Sequence, residues 1–222
     1  DGNIWGSEFM ICQEDKYQRV AHLQEISMLG GDSSMRDAKK TATCFLLNYG
    51  LCEFIQDSRC DMIKKALDNH MNTVFTSSMG RLFDAQKEHL EAKKMSFDIM
   101  KSEDQLLIDP APVLKIIAGE WHNRTKETET DLRKALALGF HEALADMILV
   151  ICENVREEQG VNCIAISGGV FQNVLLTTRV IKLLKDHRFE VFRNEVVPPG
   201  DGSISLGQTY LALAKLRNSQ EG

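Results

Sequence analysis

The sequence predicts an α/β fold, and three observations carry that reading. Between residues 132 and 216, helical and extended patterns alternate: a long apolar stripe, a short apolar run, a second stripe, further short runs and a closing helix. The run Val161-Asn162-Cys163-Ile164-Ala165-Ile166 is too short for a helix and stops at Ser167-Gly168-Gly169. Near the start, residues 4–11 and 17–28 alternate in the manner of strands. Helices interleaved with short buried strands form a sheet with helices layered on it.

In chain order, residues 4–11 and 17–28 read as two strands joined by the polar turn Gln13-Glu14-Asp15-Lys16. Gly30-Gly31-Asp32 breaks the chain, and Ser33 or Ser34 is placed to cap a helix ending near Asn48. A further helix is expected within residues 60–78, most compactly over 60–70. Residues 84–105 are highly charged with a poor helical pattern. Pro110 and Pro112 mark a boundary with a helix after it. From Leu132, the residues Leu136, Phe140, Leu144, Met147 and Ile151 fall on one face of a long helix that Gly160 ends. Residues 161–166 form a buried strand, which places Cys163 inside the fold. The next helix carries Phe171, Val174, Thr178, Ile181 and Leu184 on one face. Residues 189–192 and 195–197 read as two more short strands. Pro198-Pro199-Gly200-Asp201-Gly202 turns the chain into a last helix, from Ser203 to about Leu216.

The chain has 222 residues, enough for one large domain or two small ones. Its 26 basic and 32 acidic residues give a net charge of −6, which argues against a general nucleic-acid binder. The six cysteines include no CxxC pair, which excludes a zinc ribbon and suits a reducing cytoplasm. No run of about 18 uncharged apolar residues marks a membrane span, and no signal-peptide pattern opens the sequence. The six histidines show no HxxxH or HExxH spacing. His141, beside Phe140 on the long helix, reads as a packing residue.

Three segments have the residue types for chemistry. Ser167-Gly168-Gly169-Val170-Phe171-Gln172-Asn173 joins a strand to a helix. Its glycines admit close backbone approach, and amides at the following helix start favour an anion. Asn173 falls near the first turn, where its amide could reach a ribose or phosphate. Without a ligand, the same segment is a tight turn. Asp201 follows a strand and precedes a helix, so it belongs to the same sheet edge as the glycine loop. It suits a metal or a nucleotide hydroxyl, or serves as a helix cap. In Ser77-Ser78-Met79-Gly80-Arg81-Leu82-Phe83-Asp84, Arg81 can meet a phosphate, or pair with Asp84 at a helix start. The charged run 86–94 reads as a solvated face.

These segments, with Asp1-Gly2-Asn3-Ile4-Trp5-Gly6-Ser7-Glu8-Phe9, Gly30-Gly31-Asp32 with Arg36, and Pro198 through Gln208, resemble the hydrogenase-maturation carbamoyltransferases (HypF). The match is to the carboxy-terminal part of their carbamoyl-transfer domain, and the five stretches run in order across nearly the whole chain. The resemblance implies an actin-like ATPase fold of two ribonuclease-H-like lobes. Residues 1–131 would be the end of the first lobe plus a helical insertion. Residues 132–222 would be the second α/β lobe with the nucleotide loop. It implies ATP or carbamoyl-adenylate as ligand, a divalent metal, and HypE, whose terminal cysteine thiol accepts the carbamoyl group on the way to cyanide. In that picture Ser167, Gly168, Gly169, Asn173, Arg81 and Asp84 serve the nucleotide, and Asp201 is one metal ligand.

Two departures stand out. The family's HxxxH pair and a glycine-rich strand precede the Asp-Gly-x-Ile-Trp-Gly segment, with which this sequence opens. Its Tyr-Glu-Gly turn after the Arg-Leu-Phe-Asp-Ala stretch has no counterpart here. The sequence therefore reads as a fragment whose amino-terminal domains are missing, with an incomplete metal site and no transfer activity of its own. The rivals are a tRNA threonylcarbamoyl transferase, disfavoured by the acidic balance and by Val-Phe-Gln-Asn after the glycines, and a truncated non-catalytic nucleotide-binding module.

Overall fold

The structure, a computed structural model, describes residues 2–30, 37–80, 92–102 and 104–220. The chain divides into two compact units: residues 1–10 with 19–147, and residues 11–18 with 148–222.

Strands β1 (Glu8–Gln13), β2 (Lys16–Leu23), β5 (Asp98–Ser102) and β6 (Gln105–Asp109) form a sheet of order β1-β2-β6-β5, which belongs to the first unit except for the hairpin end, residues 11–18. β2 runs parallel to β6, with Ala21 opposite Leu106. β5 and β6 form an antiparallel hairpin with Ile99 opposite Ile108. The stretch expected as one strand over 17–28 is two. The chain leaves the sheet at Gln24, whose N–H donates to Ile108 O at 2.8 Å. It then forms β3 (Ile26–Leu29), antiparallel to β4 (Thr73–Thr76) in a separate sheet. Alternation shows which residues share a face, but not which strand pairs with them. That is also why β4 and the β5–β6 hairpin escape the sequence.

Helix α1 (Ala38–Asn48) packs on β3. Its cap is Asp37, which accepts from Lys40 N–H at 2.9 Å. The expected caps Ser33 and Ser34 lie outside the described residues. Helix α2 spans Cys60–Asp68. Helix α3 (Ala111–His122) starts after Pro110, with Pro112 in its first turn, where a missing N–H costs no helical bond. Ala21, Leu23, Met28, Ile63, Ile108 and Val113 form the core of this unit, each under 2% exposed.

Helix α4 (Glu129–Gln159) is shared by both units. Leu136, Phe140, Leu144, Met147 and Ile151 are all buried, as the stripe requires. Gly160, at φ +69°, ends the helix in the left-handed conformation that glycine adopts freely. By length and composition α4 could cross a membrane, but most of its apolar window is buried, as in a core helix. His141 is buried too, and its Nδ1 bonds Ala137 O at 2.7 Å.

The second unit holds a β-α-β element. β7 (Cys163–Ile166) and β8 (Glu190–Arg193) pair in parallel, with Ile164 opposite Val191, and α5 (Val174–Asp186) connects them. Three expectations change here. The buried face of α5 is Leu176, Thr177, Val180 and Leu184, while Val174 is 77% exposed. Apolar residues lie on more than one side of this helix, so packing selects the face. Residues 195–197 form no strand, and Val196 is 97% exposed. Among the described residues no strand pairs with them, and the prolines that follow offer no N–H to a ladder. Cys163 is exposed rather than buried. Helix α6 spans Ile204–Gln220.

Candidate functional site

β7 ends at Ile166, and the next three residues reverse the chain. Gly168 has φ +105° and ψ 159°, a conformation nearly confined to glycine. Gly169 differs. Its φ is not positive, and a Cβ built there meets nothing within 4 Å. Nothing in the fold requires a glycine at 169, whereas close approach of a ligand to the backbone would.

Residues Gly169–Gln172 form a single 3₁₀ turn. Helix α5 therefore starts later than Phe171, and Asn173 caps it: its Oδ1 accepts from Leu176 N–H at 3.1 Å, and its carbonyl accepts from Thr177 N–H at 3.0 Å. The first amides of α5 are thus partly occupied by their own cap, and the Asn173 side-chain oxygen is committed to that role. Inside the turn, Phe171 N–H donates to Gly168 O and Asn173 N–H to Val170 O, each at 3.1 Å. The amides of Gly169 and Val170 remain as the donors the loop can offer.

The second segment of the site lies against this loop. Gly168 N–H donates to Pro199 O at 2.6 Å, and Ser167 Oγ donates to the same oxygen at 3.1 Å. A Cβ on Gly200 would sit 4.0 Å from Gly169 Cα and 3.0 Å from Gln172 Nε2. Asp201 opens a 3₁₀ turn leading into α6. The capping bonds of this turn come from Ser203, whose N–H and Oγ both donate to Gly200 O, at 3.2 and 3.1 Å. The Asp201 carboxylate is exposed and takes no hydrogen bond from a described residue. The structure thus gathers Ser167, Gly168, Gly169, Asn173 and Asp201. Pro199 and Gln172 gain their roles here from contacts that span about 30 residues of chain, which the sequence does not show, while Ser203 bonds locally to Gly200.

Arg81 and Asp84 lie outside the described residues. The segment that leads to them is well placed in the first unit. Ser77 is buried; its Oγ donates to Gly6 O at 2.9 Å and accepts from Gly6 N–H at 3.1 Å. Ser7, at φ +56°, turns its Oγ to accept from Met79 N–H at 2.8 Å. A Cβ on Gly6 would lie 3.1 Å from Ser78 Cα. Two stretches more than 70 residues apart are thereby zipped together.

A divalent ion wants about four to six donors. Among the described residues no group of three or more His, Cys, Asp or Glu side chains could hold one. Asp201 alone does not fit a metal, so no chemical step is assigned to one here. The buried thiols are poor nucleophiles as well. Burial pushes Cys152 up to about 12 and raises Cys44 in the same direction.

Comparison with known proteins points one way. The family model described as "Carbamoyltransferase, Kae1-like Domain, second subdomain" matches residues 1–98 and 86–208. The carbamoyltransferase HypF of Synechocystis is 27% identical over 266 residues, covering 99% of this chain and 33% of that protein. The probable carbamoyltransferase HypF of Methanocaldococcus jannaschii is 27% identical over 248 residues, covering 97% and 31%. A crystal structure of full-length HypF in a phosphate- and nucleotide-bound form superposes with a TM-score of 0.81 at 30% identity, over 95% of this chain and 37% of that one. The chain spans about a third of the length of the curated relatives it matches. Their alignments run longer than its 222 residues, so they carry residues without a counterpart here, and the family match breaks within 86–98.

Proposed function

The chain belongs to the carbamoyltransferase family with a Kae1-like domain, as its second subdomain, and on that premise we propose that it forms part of a longer HypF-type protein of the cytoplasm. Its α/β fold is that of the HypF carbamoyl-transfer domain, of the actin-like ATPase class. The ligand is an adenine nucleotide, ATP or carbamoyl-adenylate. The acceptor is the carboxy-terminal cysteine thiol of HypE, and the product supplies the cyanide ligand in hydrogenase maturation.

The observation that carries this reading is the open backbone at Gly169, held beside Asp201 by the Pro199 carbonyl. In the proposed site the Gly169 and Val170 amides donate to the phosphate of the adenylate. That charge is then held by fixed dipoles rather than by water. The thiolate sulfur attacks the carbamoyl carbon, the bond from that carbon to the phosphate oxygen breaks, and AMP leaves with the electron pair. The thiol proton goes to solvent, and the sulfur keeps the carbamoyl group as a thiocarbamate. Arg81 and Asp84 serve the nucleotide at its phosphate and ribose. Asp201 would be one ligand of a divalent metal only together with groups from elsewhere in the longer protein, where such an ion would supply Lewis-acid chemistry, and no step is routed through it.

Gly169→Val tests the loop. The new side chain enters open space, so the folded state should be retained within about 0.5 kcal/mol. In the full-length gene product, calorimetry should show adenine-nucleotide binding at this site lost. Unchanged binding in the folded variant would discard the proposal.

A further inference from the structure

Ser167 opens the glycine loop, and a hydroxyl in that place invites a reading as a phosphate ligand. Its bonding argues otherwise. The Ser167 Oγ–H donates to Pro199 O at 3.1 Å, and Gly168 N–H donates to the same oxygen at 2.6 Å. A serine hydroxyl has one proton to give. With that proton on Pro199, Oγ presents only lone pairs toward an anionic oxygen.

We infer that Ser167 is a positioning residue for the transfer reaction and not a ligand of the nucleotide. The Ser167 hydroxyl and the Gly168 amide clamp one carbonyl from two sides. That carbonyl belongs to Pro199, two residues before Asp201. The peptide after it is fixed as well, since Gly200 O accepts from both Ser203 N–H and Ser203 Oγ. The clamp sets how far Asp201 stands from the Gly169 and Val170 amides, and leaves those amides for the ligand. Labour within the loop is divided: Ser167 and Gly168 bind the protein, while Gly169 and Val170 bind the nucleotide.

This rests on the proposed function, and the experiment separates the two. Transfer from synthetic carbamoyl-adenylate to HypE is measured with the full-length gene product and its Ser167→Ala, Ser167→Thr and Gly169→Val variants. Ser167→Ala removes one of two donors, so kcat should fall about five-fold. KM for the adenylate should stay within about two-fold, because a positioning residue does not touch the substrate. Ser167→Thr keeps the hydroxyl and should recover kcat, a rescue that added bulk at an exposed loop position would not give. A rise in KM of about ten-fold at unchanged kcat would make Ser167 a ligand and overturn the inference. So would unchanged kinetics in Ser167→Ala, or a Thr variant as impaired as Ala. A Gly169→Val variant with ordinary kinetics would remove the nucleotide reading itself, whatever Ser167 shows.

Discussion

Gly139 shows most plainly what one residue decides. It lies inside α4, where glycine costs about 1 kcal/mol relative to alanine in helix propensity. Propensity alone therefore says that Gly139→Ala should stabilise. The structure says the reverse. The backbone of residue 93 crosses the helix at this point, and Lys93 N–H donates to Ala135 O at 3.1 Å. A Cβ on Gly139 would overlap the Lys93 carbonyl oxygen, and backbone cannot swing away as a side chain can. Overpacking of this kind costs about 1–3 kcal/mol or more. Gly139→Ala should lower the urea midpoint; a raised midpoint would mean the crossing is not there. The loop glycines obey the same logic. Gly168 is held by its φ and Gly169 by nothing in the fold, a distinction that the pair of letters in the sequence does not contain.

At the level of elements, the entry to α1 is tied to the turn before α2 by one guanidinium. Arg59 Nη1 meets Asp37 Oδ2 at 2.6 Å, and Arg59 Nη2 meets Asp57 Oδ2 at 2.7 Å. The Asp57 side chain is 2% exposed. Hydrogen bonding from Arg59 holds both carboxyls down at about 2, from an ordinary 3.8. The folded state thus releases these protons more readily than the unfolded chain. Their contribution is complete above about pH 4 and is lost as pH falls through about 2. In Arg59→Met both carboxyls lose the side-chain hydrogen bonds and the charge that hold them low, so much of the folded state's preference for their ionised forms is lost. Urea melts between pH 6 and pH 3 should show the wild type losing stability toward the acid end. The variant should be weaker at pH 6 and should lose less as pH falls. Parallel slopes for both proteins would show that Arg59 does not govern these carboxyls.

For the molecule as a whole, the site is open. Ser167, Gly169 and Asp201 are exposed, and among the described residues no further metal-binding side chains gather near Asp201. An adenylate held in such a site is exposed to water, which weakens each electrostatic contact and permits hydrolysis. This chain alone should therefore transfer carbamoyl from synthetic carbamoyl-adenylate to HypE at least about a hundred-fold more slowly than the full-length gene product. Elemental analysis of the isolated chain should find no stoichiometric zinc, iron or manganese. Comparable transfer rates, or a bound metal lost on Asp201→Asn, would contradict the account.

The sequence by itself determined the long stripe of α4, the short strand running into Ser167-Gly168-Gly169, the α/β class and the motif order that marks the family. These signals are local: periodicity, glycine placement and contiguous motifs lie within a few residues of one another. Only the tertiary structure decided that residues 17–28 serve two sheets, and that α5 buries Leu176 and Leu184 rather than Val174. It alone shows that Pro199 O takes the hydroxyl of Ser167. In each case the deciding partner lies tens of residues away in the chain. A side chain's pattern records which face it occupies, while the packing and hydrogen bonds that fix its role belong to whichever segment the fold brings alongside.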